Sequence, residues 1–199
     1  GGDLVNDSLA IHSLDGIQVD ALLFDSASGD LEYYTSTDGA ATWNLVSSVV
    51  SSAIELNQTN IQRIDSNLLY VTYHDASGGA VWFAYSDDNG STWNRMTLYS
   101  FTPHPDSEAE MVAIDNGATV YVAVYNATDG FLQLFRSSDG GQNFDSLTID
   151  ELHTGPFLDL DAEGDTVVVS WVDGVTNQLH YGISNDGATE YFYRTVPDY

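Results

Sequence analysis

Three observations predict an all-β chain. An eight-residue stretch returns four times, short apolar segments of extended character separate the returns, and no helical period persists anywhere. A unit of about 50 residues that holds four short strands, and that cannot bury its apolar face alone, is the blade of a β-propeller. The predicted architecture is therefore all-β: a propeller of four four-stranded blades.

The repeated stretch is clearest at SDDNGSTW, Ser86 to Trp93. Its relatives are STDGAATW from Ser36, SSDGGQNF from Ser137 and SNDGATEY from Ser184. Each has Ser first, Asp third and an aromatic eighth. The third-position aspartates, Asp38, Asp88, Asp139 and Asp186, stand 50, 51 and 47 residues apart. The flanks repeat as well. A first strand is read in LAIHSLDG, IQRIDSN, MVAIDNG and LDLDAEG, and a second in VDALLFD, LYVTYHD, VYVAVYN and VVVSWVD. A third precedes each box in DLEYYT, AVWFAY, FLQLFR and QLHYGI, and a fourth follows it in NLVSSVV, NRMTLYS, DSLTIDE and FYRTVPD. The second strands are nearly continuous apolar runs, as expected of strands buried on both faces. One propeller domain over residues 1–199 is expected, with blades at about 8–50, 59–99, 109–150 and 156–198.

The boxes fall between third and fourth strands, and their residues are read as turn formers. The Asp side chain accepts from backbone N–H groups a few residues on. Gly90 and Gly141 supply a positive φ, Thr92 bonds locally, and Trp93 folds back as an apolar plug. Trp43, Phe144 and Tyr191 take the corresponding place in the other boxes.

This pattern resembles the Asp-box, or BNR, repeat of the sialidase-like propellers, S-x-D-x-G-x-T-W. SDDNGSTW matches every fixed position, whereas STDGAATW and SNDGATEY carry Gly one residue early and SSDGGQNF has Asn143 and Phe144 for Thr and Trp. The resemblance implies boxes on the periphery, away from any active site. It spans sialidases, other glycosidases, lectin-like proteins, sorting receptors and photosystem assembly factors. Sialidases of this kind use three arginines on the substrate carboxylate, a tyrosine nucleophile with a glutamate partner, an aspartate acid/base, six blades and an Arg-Ile-Pro-like motif. Here the bases are Arg63, Arg95, Arg136 and Arg194 alone, with no lysine. Arg95 and Arg194 fall on expected outer strands, Arg136 immediately precedes a box, and Gln62–Ile64 lacks the proline. A carboxylate clamp of that type, and sialidase activity with it, are not expected.

Composition narrows the partners. Hydrophobic residues make up 43% and aromatics 12%, enough for a packed core. No window approaches the roughly 20 apolar residues of a membrane helix. Net charge is -26, from 30 acidic residues against 4 basic ones. Such a surface repels nucleic acid and anionic membranes and attracts cations or basic partners. Its acidity is open to three readings: solvation in a salty medium, Ca2+ held by Asp-rich loops, or charge that prevents aggregation. Stabilisation by divalent cation or by high salt follows from the first two. There is no cysteine, which removes disulfides and thiolate chemistry. The start, GGDLVND, has the look of a processed product, and sequons stand at Asn6, Asn57, Asn89 and Asn126. An extracellular or cell-surface location is expected.

Candidate sites cluster at one end of the blades. The corners between second and third strands repeat Asp25, Asp75, Asn126 and Asp173, which either surround a hard cation or cap their own turns. The long connections between blades carry His104, Asp106, Glu108, Glu110, Asp150, Glu151 and His153, read as solvated acidic loops or as an acid/base pair. Asp15, Asp65, Asp115 and Asp161 are expected in turns at the other end. Trp82, Tyr125 and Trp171 offer faces for sugar rings or belong to blade core. No motif demands a cofactor. Two functions compete: a non-enzymatic exported module that binds glycan, protein or copies of itself, which is the expected one, and a degenerate glycoside hydrolase with a carboxylate pair roughly 5 to 9.5 Å apart.

Overall fold

Short apolar runs bounded by Gly, Asp and Asn become strands, and each group of four pairs in sequence order. The structure, a computed structural model, describes residues 9–51, 56–150, 155, 157–188 and the backbone of 192–195. Sheet 1 holds β1 (Leu9–Ser13), β2 (Val19–Asp25), β3 (Asp30–Ser36) and β4 (Asn44–Val50). Sheet 2 holds β5 (Leu56–Arg63), β6 (Leu69–Asp75), β7 (Ala80–Ser86) and β8 (Asn94–Ser100). Sheet 3 holds β9 (Glu108–Ile114), β10 (Thr119–Asn126), β11 (Phe131–Ser137) and β12 (Asp145–Asp150). Sheet 4 holds β13 (Asp159–Glu163), β14 (Thr166–Val172), β15 (Leu179–Ser184) and β16 (Phe192–Thr195). All four are four-stranded, antiparallel and ordered as the chain runs, as in a propeller-like fold. The chain divides into two compact units, Gly1–Pro103 and His104–Tyr199.

In the first unit, sheets 1 and 2 meet through their first strands, β1 against β5. Leu22, Phe24, Leu31 and Tyr33 of sheet 1 share one core with Ile61, Leu69, Val71 and Tyr73 of sheet 2. In the second unit, Tyr121, Ala123, Tyr125, Leu132 and Leu134 of sheet 3 pack with Leu160, Val167, Val169 and Trp171 of sheet 4. Tyr125 and Trp171 are thus core residues, 7% and 1% exposed. Trp82 is half-buried and stacks on Tyr73.

Two expectations about strands need correction. β6 and β10 are buried on both faces, but β2 and β14 alternate between buried and half-buried residues. Apolar sequence marks a strand able to be covered, and solvent decides whether both faces are. Asp161 lies within β13, and the turn beyond it is made by Gly164 in a left-handed conformation.

The outer face of sheet 1 repeats the apolar pattern by which sheet 2 packs. Ile61, Leu69, Val71 and Tyr73 press sheet 2 onto sheet 1. Their counterparts one repeat earlier are Ile11, Val19, Ala21 and Leu23, on the face turned away from sheet 2. Ile11 is 64% exposed there, and Leu9, paired with Leu23, is 66% exposed. Among the described residues no helix is long and apolar enough to cross a membrane.

Candidate functional site

The first three boxes share one complete hydrogen-bond scheme, and the described residues of the fourth repeat its Ser–Asp part. In the second, the Ser86 hydroxyl donates to Asp88 Oδ1 at 2.8 Å and accepts from the Gly90 N–H at 2.8 Å. Asp88 accepts from the Thr92 N–H at 2.8 Å and from the Thr92 hydroxyl at 2.7 Å. The first box repeats this through Ser36, Asp38, Ala40 and Thr42. In the third, Asn143 supplies both donors to Asp139, so it replaces Thr without loss. In the fourth, Ser184 bonds Asp186 and Ala188; Tyr191 lies outside the described residues. These donors hold the Asp38, Asp88 and Asp139 carboxyls down to about 2, with the Thr or Asn side chain the largest cause.

The shifted glycines have a simple origin. Both the fourth and fifth box residues are left-handed: Gly39 and Ala40, Asn89 and Gly90, Gly140 and Gly141, Gly187 and Ala188. Glycine at either position relieves one of the two. The fourth residue also donates its N–H across to the turn between first and second strands, to Ile17, Asn67, Ala118 and Asp165 carbonyls at 2.9–3.0 Å. Each box therefore closes two turns at once. The second box reaches further. The Trp93 indole donates to the Ser47 hydroxyl at 3.0 Å, Ser47 donates to the Gly90 carbonyl, and Trp93 meets Tyr33 edge-on at 5.6 Å. Trp93 is a latch between sheets, whereas Trp43 is 39% exposed.

Sequence reasoning missed a buried polar cluster in the first unit. Arg63 closes β5 with its side chain fully buried. Its Nε donates to Asp20 Oδ2 at 2.6 Å, and Nη2 donates to Asp20 Oδ1 at 2.8 Å and Tyr33 Oη at 2.7 Å. Its Nη1 donates to the Asp65 and Ser66 carbonyls, both at 3.1 Å. Five N–H groups thus meet five acceptors. Tyr33 and Thr35 complete the shell of Asp20. Burial, then Asp20, push the Tyr33 hydroxyl well above its usual range. Arg63 has no N–H left for a substrate carboxylate. Arg95, on β8, bonds the Tyr73 hydroxyl and covers the Trp82 ring. The available signal was Asp20 itself, a carboxylate at a core-facing position of an apolar strand.

The corner residues Asp25, Asp75, Asn126 and Asp173 each bond within their own turns. Asp25 accepts from Ala27 and Ser28, Asp75 from Ser77 and Gly78. Asn126 accepts from Thr128 and donates to Asp129. Asp173 accepts from Val175 and Thr176, whose donors lower its pKa. Among the described residues no three His, Asp or Glu side chains gather as metal ligands do. The Asn126 sequon is 1% exposed, with its amide on Asp129.

The 104–108 stretch is more ordered than a solvated loop. Glu108 and Glu110 belong to β9. Glu108 Oε2 accepts from the backbone N–H groups of Phe157 and Leu158 at 3.0 and 2.9 Å, which ties sheet 3 to the start of β13. Glu151 and His153 lie outside the described residues.

Residues 26–193 match the family described as a BNR repeat-like domain. No curated protein matches the chain. Among solved structures, the fold is similar to that of a Hadza microbial sialidase, at 19% identity over 79% of this chain and 33% of that one, TM-score 0.59. It is similar to the α-L-arabinofuranosidase of Fusarium graminearum, at 11% identity over 95% of this chain and 66% of that one, TM-score 0.66. It is similar as well to the NanB sialidase of Streptococcus pneumoniae, at 16% identity over 78% and 26%, TM-score 0.58. The chain spans less than two thirds of the length of each of these proteins. These structures correct the expectation of a non-enzymatic chain: the fold is one that glycoside hydrolases carry.

Proposed function

The chain belongs to the BNR repeat-like domain family, and on that premise we propose that it is a glycan-directed β-propeller, part or all of a glycoside hydrolase that works outside the cell or at its surface. The four sheets serve as its blades, one Asp box to each. The observation that carries this reading is a box-stapled, four-sheet fold similar to that of sialidases and an arabinofuranosidase.

Hydrogen bonding within the sheets supports a division of parts. The boxes spend their carboxylates on turns, so they stabilise blades and do no chemistry. The opposite end of each sheet, with its corners and connections, is where a sugar is received. Saturation of Arg63 by Asp20 disfavours a sialic-acid clamp on that residue and favours neutral glycosides. The test is release of aglycone from a panel of aryl arabinosides, galactosides, xylosides and sialosides by the purified chain. Hydrolysis of a neutral glycoside supports the proposal. Neither hydrolysis nor binding of any member of the panel would refute it.

A further inference from the structure

Among the described residues of the second unit, Phe157 is a backbone outlier that packing does not explain. Phe157 has φ +75 and is 72% exposed. A bulky residue resists the left-handed region, where glycine sits freely. An aromatic ring in water adds nothing to the core. Strain of this sort is kept where the conformation is used.

The surroundings hold Phe157 in place. Glu108 fixes its N–H and that of Leu158, and the Leu158 side chain is buried in the unit's core. Gly155 donates to the Val172 carbonyl at 2.7 Å and lies so close that a Cβ there would stand 2.8 Å from that oxygen. Gly155 thus lies against the end of β14, beside the corner that carries Val175, itself 73% exposed. On the Glu108 side, Ser107 is buried and accepts from the Ala127 N–H at 3.0 Å, which pins the 104–108 segment to the corner after β10. Asp106 and His104 rise from that segment with side chains 71% and 38% exposed.

The geometry points to a subsite for a neutral sugar at this end of the second unit, with Phe157 as the stacking platform and Asp106 as the acceptor for sugar hydroxyls. This rests on the glycan-directed reading and names its ligand class. A sugar ring offers an apolar C–H face to an aromatic ring and donors at its rim. Asp106, Glu108 and Asp173 make the end acidic, and Arg136 instead lies by the fourth box, beside Gly187. An anionic sugar is repelled here, and a neutral one is not.

The experiment compares the chain with Phe157→Gly and Phe157→Trp by calorimetric titration with arabino-, galacto- and xylo-oligosaccharides and with a sialoside, alongside thermal unfolding. The expected result is a neutral sugar bound by the parent and by Phe157→Trp, and about tenfold or more weaker binding by Phe157→Gly, whose Tm does not fall. Unchanged binding by Phe157→Gly would overturn the subsite while leaving the glycan reading intact, and so would a preference for the sialoside. A lower Tm for Phe157→Gly would show the ring held by packing and would overturn it too. A parent that binds no sugar would sink both.

Discussion

Replacing Arg63 by Met should unfold the first unit far more easily. The guanidinium is fully buried, and all five of its N–H groups are spent on Asp20, Tyr33 and the carbonyls of Asp65 and Ser66. Removing it leaves the Asp20 carboxylate buried with only the Tyr33 and Thr35 hydroxyls, and strips two carbonyls of their donor. Breaking a buried pair from one side costs about 3–5 kcal/mol. A natural domain commonly has about 5–15 kcal/mol in hand, so the loss is a large share of the total. Urea unfolding followed by tryptophan fluorescence measures it. The double variant Arg63→Met with Asp20→Leu removes both charges and should recover most of the loss. A cost below about 1 kcal/mol for Arg63→Met, or a double variant no better than the single one, would show that the buried pair does not hold this core together. If Arg63 served a ligand instead, binding would suffer and stability would not.

Three further outcomes follow from the same geometry. The boxes hold Asp38, Asp88 and Asp139 at about 2, below the ordinary 3.8. Their contribution is therefore full above the unfolded value and lost as pH falls through the folded one. Tm measured against pH should drop between about pH 4 and pH 2, and Asp88→Asn should flatten that drop; an unchanged slope would contradict the box scheme. Gly90→Ala would place a Cβ 2.1 Å from the Tyr33 ring, which Asp20 and Arg63 lock in place. Overpacking of about 1–3 kcal/mol is expected in denaturant unfolding, whereas Gly187→Ala, whose nearest neighbour is 3.6 Å away, should cost less; equal effects would remove Tyr33 from the explanation. A net charge of -26 repels itself, so Tm should rise on going from low salt to about 1 M, where screening is nearly complete. A flat curve would show that the acids are already neutralised locally.

Local rules made the boxes, the four-stranded units and the turn aspartates legible. Ser, Asp and Gly act within a few residues of themselves, so a repeat of eight residues declares its own hydrogen bonds. Glycine placement was harder to read, because two adjacent left-handed residues share the need and the sequence satisfies either. Long-range partners were not legible. Nothing in IQR announces that Arg63 will meet Asp20, 43 residues earlier, and nothing in GPFLDL announces that Glu108 will hold Phe157, 49 residues later. Trp43 and Trp93 occupy the same box position, yet one is exposed and the other latches two sheets. That difference lies in what packs beside them. The expectation of no enzyme came from missing arginines, a feature of one chemistry, while the fold is shared by others.

The most direct test of the central claim is saturation-transfer NMR of the purified chain with a mixture of neutral and sialylated oligosaccharides. A glycan-directed propeller gives transfer to the ring protons of a neutral sugar. Silence across the whole mixture, at ligand concentrations well above the millimolar range of weak glycan binding, would contradict a glycan-directed propeller.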